Sequence, residues 1–173
     1  YCQDNSTGWL DWSLLQEPGW RALFALTSRP IAPPLRPPVL RPRSFLAGRA
    51  QAADGLRDLA WFTARGAEMT EGDWYAPAAT LGMYLSGRDI PGRDERGAQV
   101  VDDSFLAVLH AGAEPTGFVL PGQPWAEGYE VVVDTSREDQ SAPPGTAHPA
   151  GAEATVPGRS VLLLRVLGGP GTG

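Results

Sequence analysis

"SFLAVLH", residues 104–110, decides how the rest of the chain is read. In an extended backbone, successive side chains alternate, so Phe105, Ala107 and Leu109 share one face while Leu106, Val108 and His110 share the other. Both faces are largely apolar, which predicts a strand with cover on each side. Outward from it, similar β-prone runs recur between turn clusters: "DLAWF" at 58–62, "TLGMYLS" at 80–86, "TGFVLP" at 116–121, "YEVVVDT" at 129–135 and "RSVLLLRV" at 159–166. In "YEVVVDT" the alternation predicts that Tyr129, Val131 and Val133 face the same way. Six or more strands with turns between them predict a mainly β fold, an antiparallel β-sandwich. The linking segments 87–103 and 135–158 are rich in Gly, Pro and charge and read as surface loops. The ending "GGPGTG" has nothing to bury and reads as a disordered tail.

Composition supports many turns: 173 residues carry 21 glycines and 17 prolines, with 42% hydrophobic residues. All 14 basic residues are arginine and the net charge is −6, a balance that argues against binding phosphate backbones and so against a nucleic-acid partner. No apolar run approaches the roughly 18 residues of a membrane span. The single cysteine cannot form an internal disulfide. With no secretory signal pattern, the expected setting is the reducing cytoplasm.

The N-terminal part differs. Pro18 suits a first helical turn, and Trp20, Leu23, Phe24 and Leu26 follow at helical spacing, so a helix is expected there. Next comes "SRPIAPPLRPPVLRPRSF", residues 28–45. Ile31, Leu35 and Val39 keep a four-residue spacing, but Pro30, Pro33, Pro34, Pro37, Pro38 and Pro42 interrupt it. Each interior proline costs about 3 kcal/mol in a helix, so this zone is expected to be extended or polyproline-like.

Few residues suggest chemistry. His110, in a strand, and His148, in a loop, do not form a zinc-ligand spacing with Cys2, and no metal or cofactor is expected. Ser104 and Ser160 lack a nearby base. Asp94, Glu95, Asp102 and Asp103 cluster in sequence but match no calcium loop, and a mobile loop offers no rigid glycosidase pair. They read as a charged hairpin connection. The six tryptophans are expected mainly in the core, although exposed indoles can also stack on sugars.

Four pieces, in order, carry a resemblance: "YCQDN…WLDW" at 1–12, "WF…EMT…DW" at 61–74, "VVDDSFL" at 100–106 and "VPGRSVLLL" at 156–164. Together they resemble the C-terminal portion of bacterial isoamylase-type glycogen debranching enzymes of the α-amylase superfamily. The resemblance implies that residues 1–50 are the end of a (β/α)8 barrel, its last loop and a disrupted last helix, followed by a C-terminal β-sandwich at 51–167 and a disordered tail at 168–173. It implies a parent glycoside hydrolase that cleaves α-1,6-glucosidic branch linkages in glycogen or limit dextrin with retention. The parent's catalytic carboxylates would come from earlier barrel strands, so no catalytic residue is carried over to this chain, which is expected to be inactive alone. Tyr1, Asp4 and Asn5 would lie in the loop leaving the last barrel strand and would either contact a glucosyl unit or brace the loop. Two other readings compete: an autonomous polysaccharide-binding module using Trp74 or Trp125, and a decayed gene product. Residues 56–166 alone are expected to fold better than the full chain.

Overall fold

The computed structural model describes residues 2, 4–31, 37–42, 44–49, 56–88, 90, 92–137 and 147–168. Two compact units divide the chain, residues 1–36 and residues 37–173.

In the first unit, Asp11 opens a 3-10 turn, Trp12–Gln16, by accepting from the Ser13 N–H at 3.0 Å. Helix α1, Pro18–Ile31, follows, with proline at the position where no donor is missed. Trp20, Leu23 and Phe24 do fall on this helix, and each remains about half exposed in this chain. The helix also runs through Ser28 to Ile31, where an extended stretch was expected. Pro30 sits one residue from the end, so it forfeits a hydrogen bond only in the final turn rather than in the interior. Pro33 and Pro34 lie outside the described residues.

The second unit begins with another departure. Pro38–Leu40 is a 3-10 turn rather than an extended segment, closed by Leu40 N–H to Pro37 O and Arg41 N–H to Pro38 O, both at 3.0 Å. Proline at the start of such a turn is pre-set in φ and its missing donor is not needed.

Among the described residues eight strands follow: β1 Leu59–Phe62, β2 Thr80–Leu85, β3 Phe105–His110, β4 Thr116–Val119, β5 Gly128–Asp134, β6 Ala147–Pro149, β7 Glu153–Val156 and β8 Ser160–Leu167. Six form one antiparallel sheet in the order β1-β2-β3-β8-β5-β6, and β4 pairs with β7 in a second sheet. The fold is mainly β, two antiparallel layers consistent with a β-sandwich. All six strands expected from the sequence are present. The segment 135–158 is not only loop, because β6 and β7 lie inside it.

Between the layers sits the main core: Phe62 from β1, Tyr84 from β2, Leu106 and Val108 from β3, Phe118 from β4, Tyr129 and Val131 from β5, Val156 from β7, and Leu162, Leu164 and Val166 from β8. Gly82 belongs to this inner face. A Cβ there would stand 2.6 Å from Cζ of Phe118, so the absence of a side chain is what lets the phenyl ring rest on β2. Tyr129, fully buried, donates its hydroxyl to Pro121 O at 3.0 Å.

The other face of the large sheet is also apolar, as "SFLAVLH" required. Phe105 and Leu85 point there and are buried under Val39 and Ile90, with Leu40, Leu46 and Val100 packed alongside. β3 is therefore covered on both sides over most of its length, and only Leu109 at its end is 40% exposed. A bulge changes the expected facing of β5. Val131 pairs with Leu164 but Val133 pairs with Leu163, leaving Val132 as the extra residue. Val132 and Leu163 pack on the outer cluster, so Val133 parts from Tyr129 and Val131.

Asp58 ties the outer cover to the sheet. Its buried carboxylate accepts from the Ala47 N–H at 2.7 Å and the Gly48 N–H at 2.8 Å, just ahead of β1. The segment that carries Val39 and Leu46 is thus hydrogen-bonded to the strand edge as well as packed on it.

Candidate functional site

Two places bring aromatic and hydrogen-bonding groups together at the surface. The first is the N-terminal loop. Gly8 N–H bonds to Asn5 O at 3.0 Å and Thr7 N–H bonds to Asn5 Oδ1 at the same distance, so the asparagine side chain closes its own turn. Trp9 donates its indole N–H to Asp4 Oδ1 at 2.5 Å. A charged acceptor shortens and strengthens such a bond. Asp4 and Asn5 are therefore both engaged in holding residues 4–9 in shape, while Trp9 and Trp12 are about two-thirds exposed. Tyr1 lies outside the described residues. Trp9 as the partner of Asp4 was not foreseen, and a five-residue separation in an irregular loop carries no periodic signal that would reveal it.

Further along the loop, Asp11 accepts from both the hydroxyl and the N–H of Ser13. Those bonds, the hydroxyl first, hold its carboxyl below the ordinary value of 3.8. The loop presents carboxylate oxygens and two open indole surfaces, a set able to accept hydroxyl hydrogen bonds and to stack on the C–H face of a sugar ring.

The second place is the 3-10 turn Glu71–Tyr75, which follows β1. Met69 N–H bonds to Trp61 O at 2.7 Å, fixing the approach to the turn against the strand. Thr70 and Asp73 form a capping box: the Thr70 N–H and hydroxyl both reach Asp73 Oδ2 at 2.7 Å. The hydroxyl bond, then the N–H bond, hold the Asp73 carboxyl below its ordinary 3.8. Trp74 meets Trp61 edge to face, with centroids 5.4 Å apart and rings at 78°.

The tryptophans divide in a way composition did not predict. Trp125 is partly buried and packs against the core, edge-on to both Phe62 and Tyr84 at 5.1 Å. Trp9, Trp12, Trp20 and Trp74 are exposed, against the expectation of burial.

Several other titratable residues serve the scaffold. His110 is buried, with Nδ1 at 2.8 Å from Thr80 Oγ1 and Nε2 at 2.8 Å from Glu114 O. The carbonyl can only accept, so Nε2 carries the proton and Nδ1 accepts from threonine. This is the satisfied strand histidine expected. His148 lies on β6 rather than in a loop. Asp94 accepts from the N–H groups of Arg96 and Ala98 and closes a tight turn. Asp102 instead accepts from Val39 N–H at 3.2 Å, and Asp103 faces Arg165 at 3.6 Å. Arg165 also bonds Glu130, and that contact first of all raises the guanidinium pKa. Asp94, Asp102 and Asp103 thus go to separate tasks. Among the described residues no group of three or more His, Cys, Asp or Glu could hold a metal ion. No helix among them is long and apolar enough to cross a membrane.

No family model matches the chain. Individual proteins do. Over 167 residues, 95% of this chain, it is 34% identical to the glycogen operon protein GlgX homolog of Mycobacterium tuberculosis (strain ATCC 25618 / H37Rv), and equally to that of Mycobacterium bovis. It is 31% identical over 125 residues, 72% of this chain, to the glycogen debranching enzyme of Klebsiella pneumoniae (strain 342). The chain spans 23% of the length of the mycobacterial proteins and 15% of the Klebsiella one.

Proposed function

We infer, on the premise that this chain is a relative of the glycogen operon GlgX and glycogen debranching proteins, that it is the C-terminal part of a debranching glycoside hydrolase. The observation that carries this is the match over 95% of the chain to proteins more than four times its length. In this reading the parent hydrolyses α-1,6-glucosidic linkages of glycogen or limit dextrin, in the cytoplasm and without a cofactor. Its reacting carboxylates belong to a (β/α)8 barrel that precedes Tyr1, and α1 is the remnant of the last barrel helix. Three features support the arrangement. Asp11, Asp58, Asp73, Asp94, Asp102, Asp103 and Glu130 are committed to caps, turns, backbone contacts and ion pairs, which leaves them poor candidates for a rigid catalytic pair. The exposed apolar side chains Trp20, Leu23 and Phe24 on α1 suit a helix that packs on more protein than is present here. The N-terminal loop combines an indole-held carboxylate with open aromatic surface, as the wall of a glucan cleft would.

Asp4 then has two tasks: one oxygen holds Trp9 and the other accepts a glucosyl hydroxyl. Asn5 shapes the turn, and Tyr1 stacks on or hydrogen-bonds the same unit. The sandwich covers the barrel. The test is direct. These 173 residues, incubated with a branched glucan, should release no reducing ends, whereas the chain joined to its upstream coding sequence should release them. Release by the chain alone would overturn the assignment.

A further inference from the structure

The exposed rings beside β1 are organised in a way that the cleft-wall reading does not use. The turn Glu71–Tyr75 is a 3-10 helix, in which residues three apart eclipse one another. Glu71 therefore stands above Trp74 on one side, and Gly72 above Tyr75 on the next. At three residues per turn those two sides are separated by about 120°. Trp74 is 52% exposed and Tyr75 is 83% exposed. The edge-to-face contact with Trp61 occupies one part of the Trp74 ring and leaves the rest open. Gly72 offers nothing to shield Tyr75, since even a Cβ there would meet only Thr70 Oγ1, at 3.9 Å.

The turn is also rigid. The capping box, the Asp73 N–H to Thr70 O bond at 3.1 Å and the Met69 N–H to Trp61 O bond at 2.7 Å fix its entry, and Ala76 N–H to Asp73 O at 3.3 Å fixes its exit. A site whose rings are held before the ligand arrives loses less on ordering, which is what lets a small contact bind. Beyond the rings stand acceptors and donors: the exposed Glu71 carboxylate, and Glu68 paired with Arg57 at 3.3 Å, each about half exposed or somewhat less. Rings with flanking carboxylates suit a ligand with an apolar face and a hydroxyl rim, which describes a pyranose.

We propose that Trp74 and Tyr75, with Glu71 as hydrogen-bond acceptor, form an α-glucan-holding platform on the sandwich. Trp74 and Tyr75 leave the turn about 120° apart, which suits a chain that curves, as α-1,4-linked glucose does. A flat β-1,4-linked ribbon needs rings in one plane. The choice of an α-glucan rests on the debranching reading, but holding and cleaving are separate properties and can fail separately.

Affinity electrophoresis of the 173-residue chain through gels with glycogen, amylose or soluble β-1,4-glucan tests it. The expected result is retardation by glycogen and amylose but not by the β-glucan. Trp74→Ala should weaken retention by about tenfold, the upper end of what one ring contact supplies. Trp74→Phe should restore most of it. Because Trp74 also braces Trp61, Tyr75→Ala is the cleaner variant; it touches a side chain that is almost wholly exposed and should weaken retention without lowering Tm. No retardation of the native chain, equal retardation by the β-glucan, or retention unchanged in both alanine variants would each overturn the platform. Retention lost in Asp4→Ala but kept in Trp74→Ala would do the same, and would locate binding in the N-terminal loop instead.

Discussion

Replacing Gly82 by alanine should destabilise the sandwich through a single contact, and its size can be worked from geometry. The new methyl would stand 2.6 Å from Cζ and 3.2 Å from Cε2 of Phe118, and 3.2 Å from Cβ of Phe62. Carbon atoms rest at about 3.5–4.0 Å, so roughly an ångström must be found. Neither neighbour has room to give it, since Phe118 is 0% and Phe62 is 1% exposed. Overpacking of this kind costs about 1–3 kcal/mol. For a unit of this size each kcal/mol lowers Tm by about 2–8 °C, so a value near 2 kcal/mol means a drop of roughly 5–15 °C. Thermal unfolding followed by near-ultraviolet circular dichroism gives the readout. The mechanism makes a second demand. Phe118→Leu removes the atoms that clash, so the double variant should be less destabilised than the sum of the two singles, by at least about 1 kcal/mol. A Gly82→Ala protein melting within a degree of the native chain, or strictly additive singles, would show that the ring does not rest where the glycine permits it.

Other outcomes are expected on the same grounds. Asp58→Ala should cost about 2–4 kcal/mol in urea unfolding, since two N–H groups, those of Ala47 and Gly48, lose their acceptor, and Asp58→Asn should cost less. Arg159 adopts φ +51° without being glycine, so Arg159→Gly should raise Tm, by the equivalent of about 1 kcal/mol. Burial first, and the neighbouring Tyr84 second, raise the Tyr129 phenol above its ordinary 10.0. The stability this contributes is complete below pH 10 and is lost as pH rises beyond it, so alkaline unfolding should be delayed in Tyr129→Phe, at the cost of leaving Pro121 O unpaired. Asp73 titrates below its ordinary value; its cap is complete above pH 3.8 and fails as pH falls through the lowered value, and Asp73→Asn should remove that acid sensitivity from Trp74 fluorescence. Residues 56–166 alone should melt below the full chain, because trimming removes Val39, whose full burial is worth about 1.5–3 kcal/mol, together with Leu40 and Leu46.

That last outcome reverses an expectation drawn from sequence, and the reason is instructive. The proline spacing in 28–45 gives no sign that Pro38–Leu40 forms a 3-10 turn and buries Val39, because proline's cost inside a helix says nothing of packing against residues far away in sequence. Six strands were legible because their β-branched and aromatic runs are bounded by turn residues. β6 and β7 were not, since "AHP" and "EATV" are short, and alanine and proline give little strand signal. The burial alternation in β7, Ala154 and Val156 inward, is present but too brief to stand out. Three consecutive valines in β5 cannot reveal which one is the bulge. At the N-terminal loop the sequence named Asp4 and Asn5 but not the bond from Trp9, and for Trp74 it named the residue while giving no sign of its orientation. Exposure depends on what lies opposite, which a single strand's residues do not record.

The claim on which the account rests is that these residues complete a debranching hydrolase. Reading the coding sequence immediately upstream of the Tyr1 codon tests it most directly. The account predicts an uninterrupted frame encoding a (β/α)8 barrel with carboxylates at the ends of its strands. A start codon abutting Tyr1, or stop codons closing the frame, would contradict it.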